Sequence, residues 1–302
     1  MSQQRTSRRR VVRSLATFLL GSLLVGFGCD SEETFGGRPA SAWAADLRSH
    51  DPAARLEAAR AFARSARRSP TATHALLQAL ETGASDEVHV TLADALERLG
   101  PEGRIVAPRL VALLRDAHPQ VRTEAARALG HIGAPAVQAA LPLAAALVDP
   151  DHDVRAAAAE AIARLGPPVV EVAPALVRAM ADPVSSVRLE ATRALAAVGA
   201  DATVAVPAFT RALDDSLEAT RFAATYGVAR YGAAGAAAVP DLRRALRDGH
   251  AGLRSAAATA LGRIGPASAA ALPDLRRHLA DPDSTTRTEA AWAIGHITGA
   301  PP

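Results

Sequence analysis

Apolar side chains recur every three or four residues along most of the chain. Val154, Ala158 and Ile162 fall at this spacing, and after a glycine and several prolines Leu176 and Ala179 begin a second such series. A three-to-four-residue recurrence is typical of one face of an α-helix. The pattern therefore predicts two successive helices, each of which buries one side.

The same pair of helical patterns repeats every 33 residues. The periodic aspartates are Asp116, Asp149, Asp182, Asp215, Asp248 and Asp281. The arginines six positions later are Arg122, Arg155, Arg188, Arg221, Arg254 and Arg287. Periodic glycines (Gly100, Gly133, Gly166, Gly199, Gly232 and Gly265) are expected to end each first helix. Periodic prolines are expected near the start of each second helix, where a missing N–H is tolerated. They are Pro174, Pro207, Pro240 and Pro273.

One helix pair cannot bury both of its apolar faces, whereas stacked pairs can. The sequence thus predicts an all-α fold, an α-solenoid of about eight stacked helix pairs over residues 39–302. Residues 39–47 resemble a lone second helix, and residues 286–297 a lone first helix. Trp43 is expected to cover the exposed end of the first stack.

The repeat resembles a known family. Its pattern, Asp-Pro-x-x-x-Val-Arg-x-x-Ala-Ala-x-Ala-Leu-Gly-x-Ile-Gly, is similar to HEAT repeats of the short phycobilisome-lyase type, and residues 116–133 show it best. The resemblance covers about residues 39–298 and implies helix pairs joined by an Asp–Arg ladder between units. Two units depart from the pattern: His89 stands where arginine is expected, and Arg55 is one residue out of phase.

The N-terminal residues predict export. Residues 1–13 contain five arginines and no acid, and the mostly apolar residues 14–28 end at Cys29, the chain's single cysteine. This arrangement resembles a bacterial lipoprotein signal (1–28), in which Cys29 is lipidated, followed by a tether (29–38). We expect a protein anchored by lipid to the periplasmic face of the inner membrane or to the outer membrane. The alternative is an uncleaved signal anchor with an incidental cysteine.

Charge argues against a nucleic-acid partner. The formal net charge is +3, but removal of the five signal arginines leaves 29 of the 34 basic residues against 31 acidic ones. A nucleic-acid binder is expected to keep a basic footprint after processing. The single cysteine also excludes a disulfide framework and a four-cysteine zinc site.

The periodic aspartates and arginines are interpreted as structural. Six residues advance a helix by about 600°, so the two side chains of one unit do not share a face. We expect each arginine to bridge to the aspartate or a turn carbonyl of an adjacent repeat. The nine histidines form no His-Glu-x-x-His motif, and neither a nucleophile elbow nor a phosphate loop occurs. The sequence therefore predicts no catalytic residue, metal or cofactor.

A second arginine series is the candidate binding surface. Arg178, Arg211, Arg244 and Arg277 occupy one outward position of four successive second helices. The family resemblance implies that these helices line the concave face. The alternative is a solvated face, neutralised by Asp241 and Asp274 three residues before Arg244 and Arg277. Tyr226 and Trp292 are candidate aromatic contacts on the first helices; the alternative for Trp292 is that it caps the last unit.

These observations favour a non-enzymatic scaffold that binds a protein or peptide at a membrane, without nucleic acid or a small-molecule substrate. The alternative is a bilin-lyase-like enzyme, which only the name of the resembled repeat type suggests.

Overall fold

A computed structural model describes residues 32–65, 69–81 and 106–299, which fall in two compact units divided after Ala40. In the first unit, strands β1 (Thr34–Phe35) and β2 (Arg38–Pro39) form an antiparallel hairpin. This hairpin occupies part of the predicted tether. The predicted signal and Cys29 lie outside the described residues.

The rest of the described chain is built from helices of two kinds, long first helices and shorter second helices. In chain order they are α1 (Ala40–Asp46), α2 (Pro52–Ser65), α3 (Pro70–Glu81), α4 (Ala107–Leu113), α5 (Pro119–Ile132), α6 (Ala140–Ala146), α7 (His152–Leu165), α8 (Ala173–Ala179), α9 (Ser185–Val198), α10 (Ala202–Ala212), α11 (Glu218–Ala229), α12 (Val239–Ala245), α13 (Ala251–Ile264), α14 (Leu272–His278) and α15 (Ser284–Thr298). The first helices are α2, α5, α7, α9, α11, α13 and α15. No helix of the described segments is both long and apolar enough to cross a membrane.

The helices stack as two layers. Consecutive first helices from α5 to α15 pack side by side, and each second helix from α4 onward packs against the first helix that follows it. Val154, Ile162 and Leu176 are fully buried between the layers, as the apolar pattern predicts. The all-α solenoid is confirmed.

Small residues allow neighbouring first helices to approach closely. A Cβ atom at Gly130 of α5 would lie 2.7 Å from the Cα of Ala161 in α7, closer than real Cβ contacts. Alanines fill most of the remaining contact positions, and Ala158 and Ala191 are completely buried. This composition explains how the layers pack tightly with few aromatic residues.

The entry into the second helices differs from the sequence prediction. Four of them follow a 3₁₀ stretch: Ala134–Ala139, Pro167–Val172, Gly232–Ala238 and Gly265–Ala271. Pro174, Pro240 and Pro273 then lie at the first turn of the α-helix, as expected. The expectation is wrong for Pro207, which lies inside α10. That repeat has no 3₁₀ stretch, so its α-helix begins earlier, at Ala202.

The periodic aspartates also lie slightly outside the helices that they introduce. Asp149 precedes the N-cap of α7, Asp151, by two residues. The Oδ1 atom of Asp149 accepts the backbone N–H of Asp151 at 2.9 Å, which closes the turn between α6 and α7. The same contact, from the aspartate to the residue two positions on, occurs at Asp116, Asp182, Asp215, Asp248 and Asp281.

Candidate functional site

The periodic arginines connect neighbouring repeats. Arg155 donates from Nε to Oδ2 of Asp182 at 2.7 Å and from Nη2 to Oδ1 at 3.1 Å. Its Nη1 donates to the backbone carbonyls of Asp149 and Pro150, at 2.9 and 3.1 Å. One guanidinium thus ties the turn of its own repeat to the carboxylate of the next. The sequence suggested either the aspartate or a turn carbonyl of an adjacent repeat as the acceptor. The aspartate is the one observed, and the carbonyl acceptors lie in the arginine's own turn.

The connection recurs along the stack, and we call each instance a rung. The other rungs are Arg122–Asp149, Arg188–Asp215, Arg221–Asp248 and Arg254–Asp281. The Arg221 rung is the loosest of these, with a single Nε contact of 3.2 Å to Asp248. The rungs are shielded from water, as the side chains of Arg155 and Asp182 are only 13% and 9% exposed.

Burial and ion pairing act in opposite directions on the rung carboxylates. Burial raises the pKa of Asp182, but the hydrogen bonds from Arg155 and from the backbone of Val184 outweigh it, and the pKa is lowered. At Asp281 the hydrogen bond from Arg254 is the largest effect, and the pKa falls to about 2. Asp182 and Asp281 are therefore ionised at neutral pH and hold neighbouring repeats together electrostatically.

Both ends of the described ladder are modified. The residue 27 positions before Asp116 is His89, which lies outside the described residues. The carboxylate of Asp116 contacts its own neighbour, with Oδ1 2.9 Å from Nδ1 of His118. At the C-terminal end, Arg287 keeps the bonds to its own turn, at 2.7 and 2.9 Å. Arg55, although out of phase, donates to the carbonyl of Ser49 at 2.7 Å, again six residues earlier.

The second arginine series is exposed, but its members differ. The side chain of Arg244 contacts Asp214 at 2.6 Å and Asp241 at 2.7 Å. Arg277 contacts Asp274 at 2.9 Å. The side chains of Arg178 and Arg211 form no hydrogen bond or ion pair with the part of the chain that the structure describes. Neutralisation thus applies to the last two arginines and not to the first two.

Asp274 is the centre of a cluster that the sequence did not reveal. This carboxylate is 4% exposed and contacts Arg243 at 2.6 Å, Arg247 at 3.4 Å and Arg277 at 2.9 Å. Burial raises the pKa of Asp274, but the arginine contacts, above all the hydrogen bond from Arg243, outweigh this effect, and the pKa is lowered. One carboxylate therefore serves three guanidinium groups, and the cluster keeps a positive charge.

The whole face of second helices is basic. Residues 173–181, 202–214, 239–247 and 272–280 together contain seven arginines and three aspartates. The face formed by the second helices α8, α10, α12 and α14 is called the arginine face below. Its excess of four positive charges suits a partner that carries acidic groups.

The two candidate aromatic residues also differ. Trp292 is half-buried, because it lies over Gly262 of α13 and stacks on His296 with the ring centroids 4.0 Å apart. Tyr226 is 54% exposed. Phe222, one turn earlier on α11, is 49% exposed and was not identified from the sequence. Its four-residue spacing from Tyr226 was the available signal.

Metal-ligating chemistry is absent from the described segments, where no group of three or more His, Cys, Asp or Glu side chains could hold an ion. His131 and His296 lie near the ends of their helices, where His131 is half-buried and His296 is exposed. Each places Nδ1 close to a backbone carbonyl four residues earlier, at 2.9 and 3.0 Å.

Comparison with known proteins agrees with this architecture. The family model for HEAT repeats matches residues 73–143, 140–229 and 206–295. Among solved structures, the chain is similar to an engineered protein from the Northeast Structural Genomics Consortium, with a TM-score of 0.61 and 24% identity over 87% of this chain and 79% of that one. A second engineered protein from the same consortium aligns at 24% identity over 86% of this chain and 97% of that one, with a TM-score of 0.38. No curated protein matches the chain.

Proposed function

Because the chain belongs to the HEAT-repeat family, we propose that it is a non-enzymatic scaffold that binds an acidic segment of a protein or peptide on its arginine face. The repeats are of the short phycobilisome-lyase type, and the protein is exported and held at a bacterial membrane by a lipid on Cys29. The sequence of residues 1–29 supports the anchor, and the repeat pattern supports the subtype.

The observation that carries the proposal is the pair of exposed arginines in successive repeats. Arg178 and Arg211 lie one repeat apart on α8 and α10 and have no acidic partner within the described residues. When a carboxylate of the partner contacts either arginine side chain, it displaces only water, and no existing ion pair has to be broken. The rungs hold the two repeats at a fixed spacing, which reduces the entropy lost on binding.

Substitution of the arginines tests the binding site. We expect Arg178→Gln/Arg211→Gln to weaken binding of a fluorescent oligoglutamate peptide, and of any partner isolated with the unmodified protein, by about tenfold or more. Glutamine has a helix propensity close to that of arginine, so the fold is retained. Binding should also weaken with added salt, because exposed charges are screened over about 8 Å at physiological ionic strength.

A matched control uses two arginines of the first helices. Arg164 and Arg193 are also exposed, but each is paired with a glutamate, Glu160 or Glu190, at 2.8 Å. The variant Arg164→Gln/Arg193→Gln should bind as the unmodified protein does. Equal binding by the Arg178/Arg211 variant, with an affinity insensitive to salt, would exclude the arginine face as the site. Replacement of Arg244 and Arg277 by glutamine in addition to Arg178 and Arg211 measures how much the internal ion pairs of Arg244 and Arg277 reduce their contribution to binding.

The anchor is tested separately. Cys29→Ala should move the protein from the membrane to the soluble fraction or block its processing, because a multiply acylated cysteine anchors firmly. Unchanged size and unchanged membrane retention would contradict the lipid anchor and leave the binding site unaffected.

A further inference from the structure

Helix α11 and its C-cap residue, Arg230, carry four exposed side chains in a single row. Glu218, Phe222, Tyr226 and Arg230 are four residues apart, and all four are exposed. Each four-residue step turns an α-helix by about 40°, so the row stays on one side of α11 and is about 18 Å long. We call it the α11 row. Its centre is apolar, and its two ends carry opposite charges.

Grooves flank the α11 row on both sides. One groove, of about 310 Å³, lies towards α9 and is lined largely by alanines, including Ala196 and Ala223. The other, of about 410 Å³, lies towards α13 and α15 and is lined by small side chains such as Ala251 and Ser255. The surface therefore presents protruding aromatic rings and cavities side by side.

The order of the row is symmetric about its midpoint. Ala224 lies midway between Phe222 and Tyr226 and also midway between Glu218 and Arg230. A twofold axis that lies between two copies of α11 at this level, perpendicular to the row, places the aromatic centre of one row against that of the other and each charged end against the opposite charge. A surface that is complementary to itself in this way fits a symmetric dimer.

We infer that the α11 row is a self-association surface, on which a second copy of this chain docks antiparallel. Phe222 and Tyr226 of each copy enter the grooves beside the row of the other. Arg230 of each copy pairs with Glu218 of the other, so the charged pair forms twice. Rows of side chains four apart interdigitate at a crossing angle of about −50°, the commonest arrangement of packed helices.

The charges on the surface allow this pairing. The side chain of Arg230 makes no hydrogen bond or ion pair with any described residue. Glu218 contacts His250 through Oε1 alone, at 3.3 Å, and both of these side chains are more than half exposed. An aromatic centre with a charged rim is the usual composition of a specific interface.

Charge reversal tests the orientation of the two copies. Two differently tagged full-length copies are co-expressed, one is captured from detergent, and the other is quantified. We expect Arg230→Glu or Glu218→Arg alone to reduce co-capture by about tenfold or more, because like charges then meet at both ends. The two single variants, expressed together, should recover co-capture of each other, since every contact between them is again between opposite charges. The double variant Glu218→Arg/Arg230→Glu should recover co-capture of itself.

Arg115→Glu is the matched control, because it makes the same charge change at an exposed position outside both the α11 row and the arginine face, and it should leave co-capture unchanged. Phe222→Ala/Tyr226→Ala should abolish co-capture while circular dichroism shows an intact fold. A wild-type chain that is not co-captured, or single variants that do not complement each other, would overturn the inference. Neither result bears on the arginine face, which the peptide-binding assay tests separately.

Discussion

Replacement of Arg188 by alanine is the most direct test of what the rungs contribute to stability. Arg188 Nε lies 2.6 Å from Asp215 Oδ2, and Nη2 lies 3.0 Å from Oδ1. The two side chains are 16% and 8% exposed, so the substitution leaves a largely buried carboxylate without its counter-ion. Removal of one partner costs about 3–5 kcal/mol when a pair is buried and about 0–1 kcal/mol when it is exposed. We expect the free energy of unfolding to fall by about 3 kcal/mol, near the lower end of the buried range.

The loosest rung supplies a matched comparison. Arg221 and Asp248 are 23% and 21% exposed and share one 3.2 Å contact. We therefore expect Arg221→Ala to lower the free energy of unfolding by about half as much as Arg188→Ala. In Arg188→Ala/Asp215→Asn, the asparagine can still accept the backbone N–H of Leu217, now 2.8 Å from Asp215 Oδ1, but carries no buried charge. That variant should regain part of the stability lost in Arg188→Ala.

Urea unfolding followed by far-UV circular dichroism measures these differences, with helical content unchanged before the transition. A free energy of unfolding for Arg188→Ala within about 0.5 kcal/mol of that of the unmodified protein would refute a stabilising role for the rungs, because ordinary surface substitutions have effects of this size. Equal losses at Arg188 and Arg221 would refute the dependence on burial.

Two further predictions concern acid stability and helix packing. The pKa of Asp281 in the folded protein, about 2, lies below the usual aspartate value of 3.8, so its contribution to stability is complete above about pH 4 and is lost as the pH falls towards 2. Over this pH range the melting temperature should fall more steeply for the unmodified protein than for Asp281→Asn, and equal slopes would contradict the assignment. Gly130→Ala places a Cβ 2.7 Å from the Cα of Ala161, whereas Gly249→Ala meets no atom within 4 Å. The first should lower the free energy of unfolding by about 1–2 kcal/mol and the second should change it little, and equal thermal stability of the two variants would show that α5 and α7 separate readily.

The periodic pattern was sufficient to predict the helices and the general placement of the ladder. A 33-residue period and a six-residue offset place the next aspartate 27 residues after each arginine, which is the spacing of Arg155 and Asp182. The short 3₁₀ stretches were not predicted, because their alanines and prolines carry no periodic signal distinct from that of the following helix. For the same reason the position of Pro207 inside α10 was missed.

The binding surfaces were harder to predict, because they depend on contacts between repeats that break the pattern. Asp274 accepts from Arg243, 31 residues earlier on a neighbouring helix, and no single-repeat pattern contains that pair. Trp292 was placed among the candidate contacts, since nothing in its own helix shows that Gly262 leaves room beneath it. Phe222 was missed because its position varies between repeats, so the periodic comparison gave no reason to single it out; the equivalent residues are Thr123, Ala156, Leu189, Ser255 and Thr288.

The direction of the rungs has a consequence for how such a chain changes length. Each 33-residue block contributes one arginine that pairs with the following block and one aspartate that pairs with the preceding block. In one such block, Arg155 donates to Asp182 of the next block, and Asp149 accepts from Arg122 of the previous one. In-frame duplication of a whole block therefore creates a junction in which both partners are already encoded, and deletion of a whole block rejoins two compatible halves. A gene of this kind can lengthen or shorten by whole repeats without a compensating point mutation. A partial duplication, by contrast, leaves an arginine or an aspartate without its partner at the new boundary.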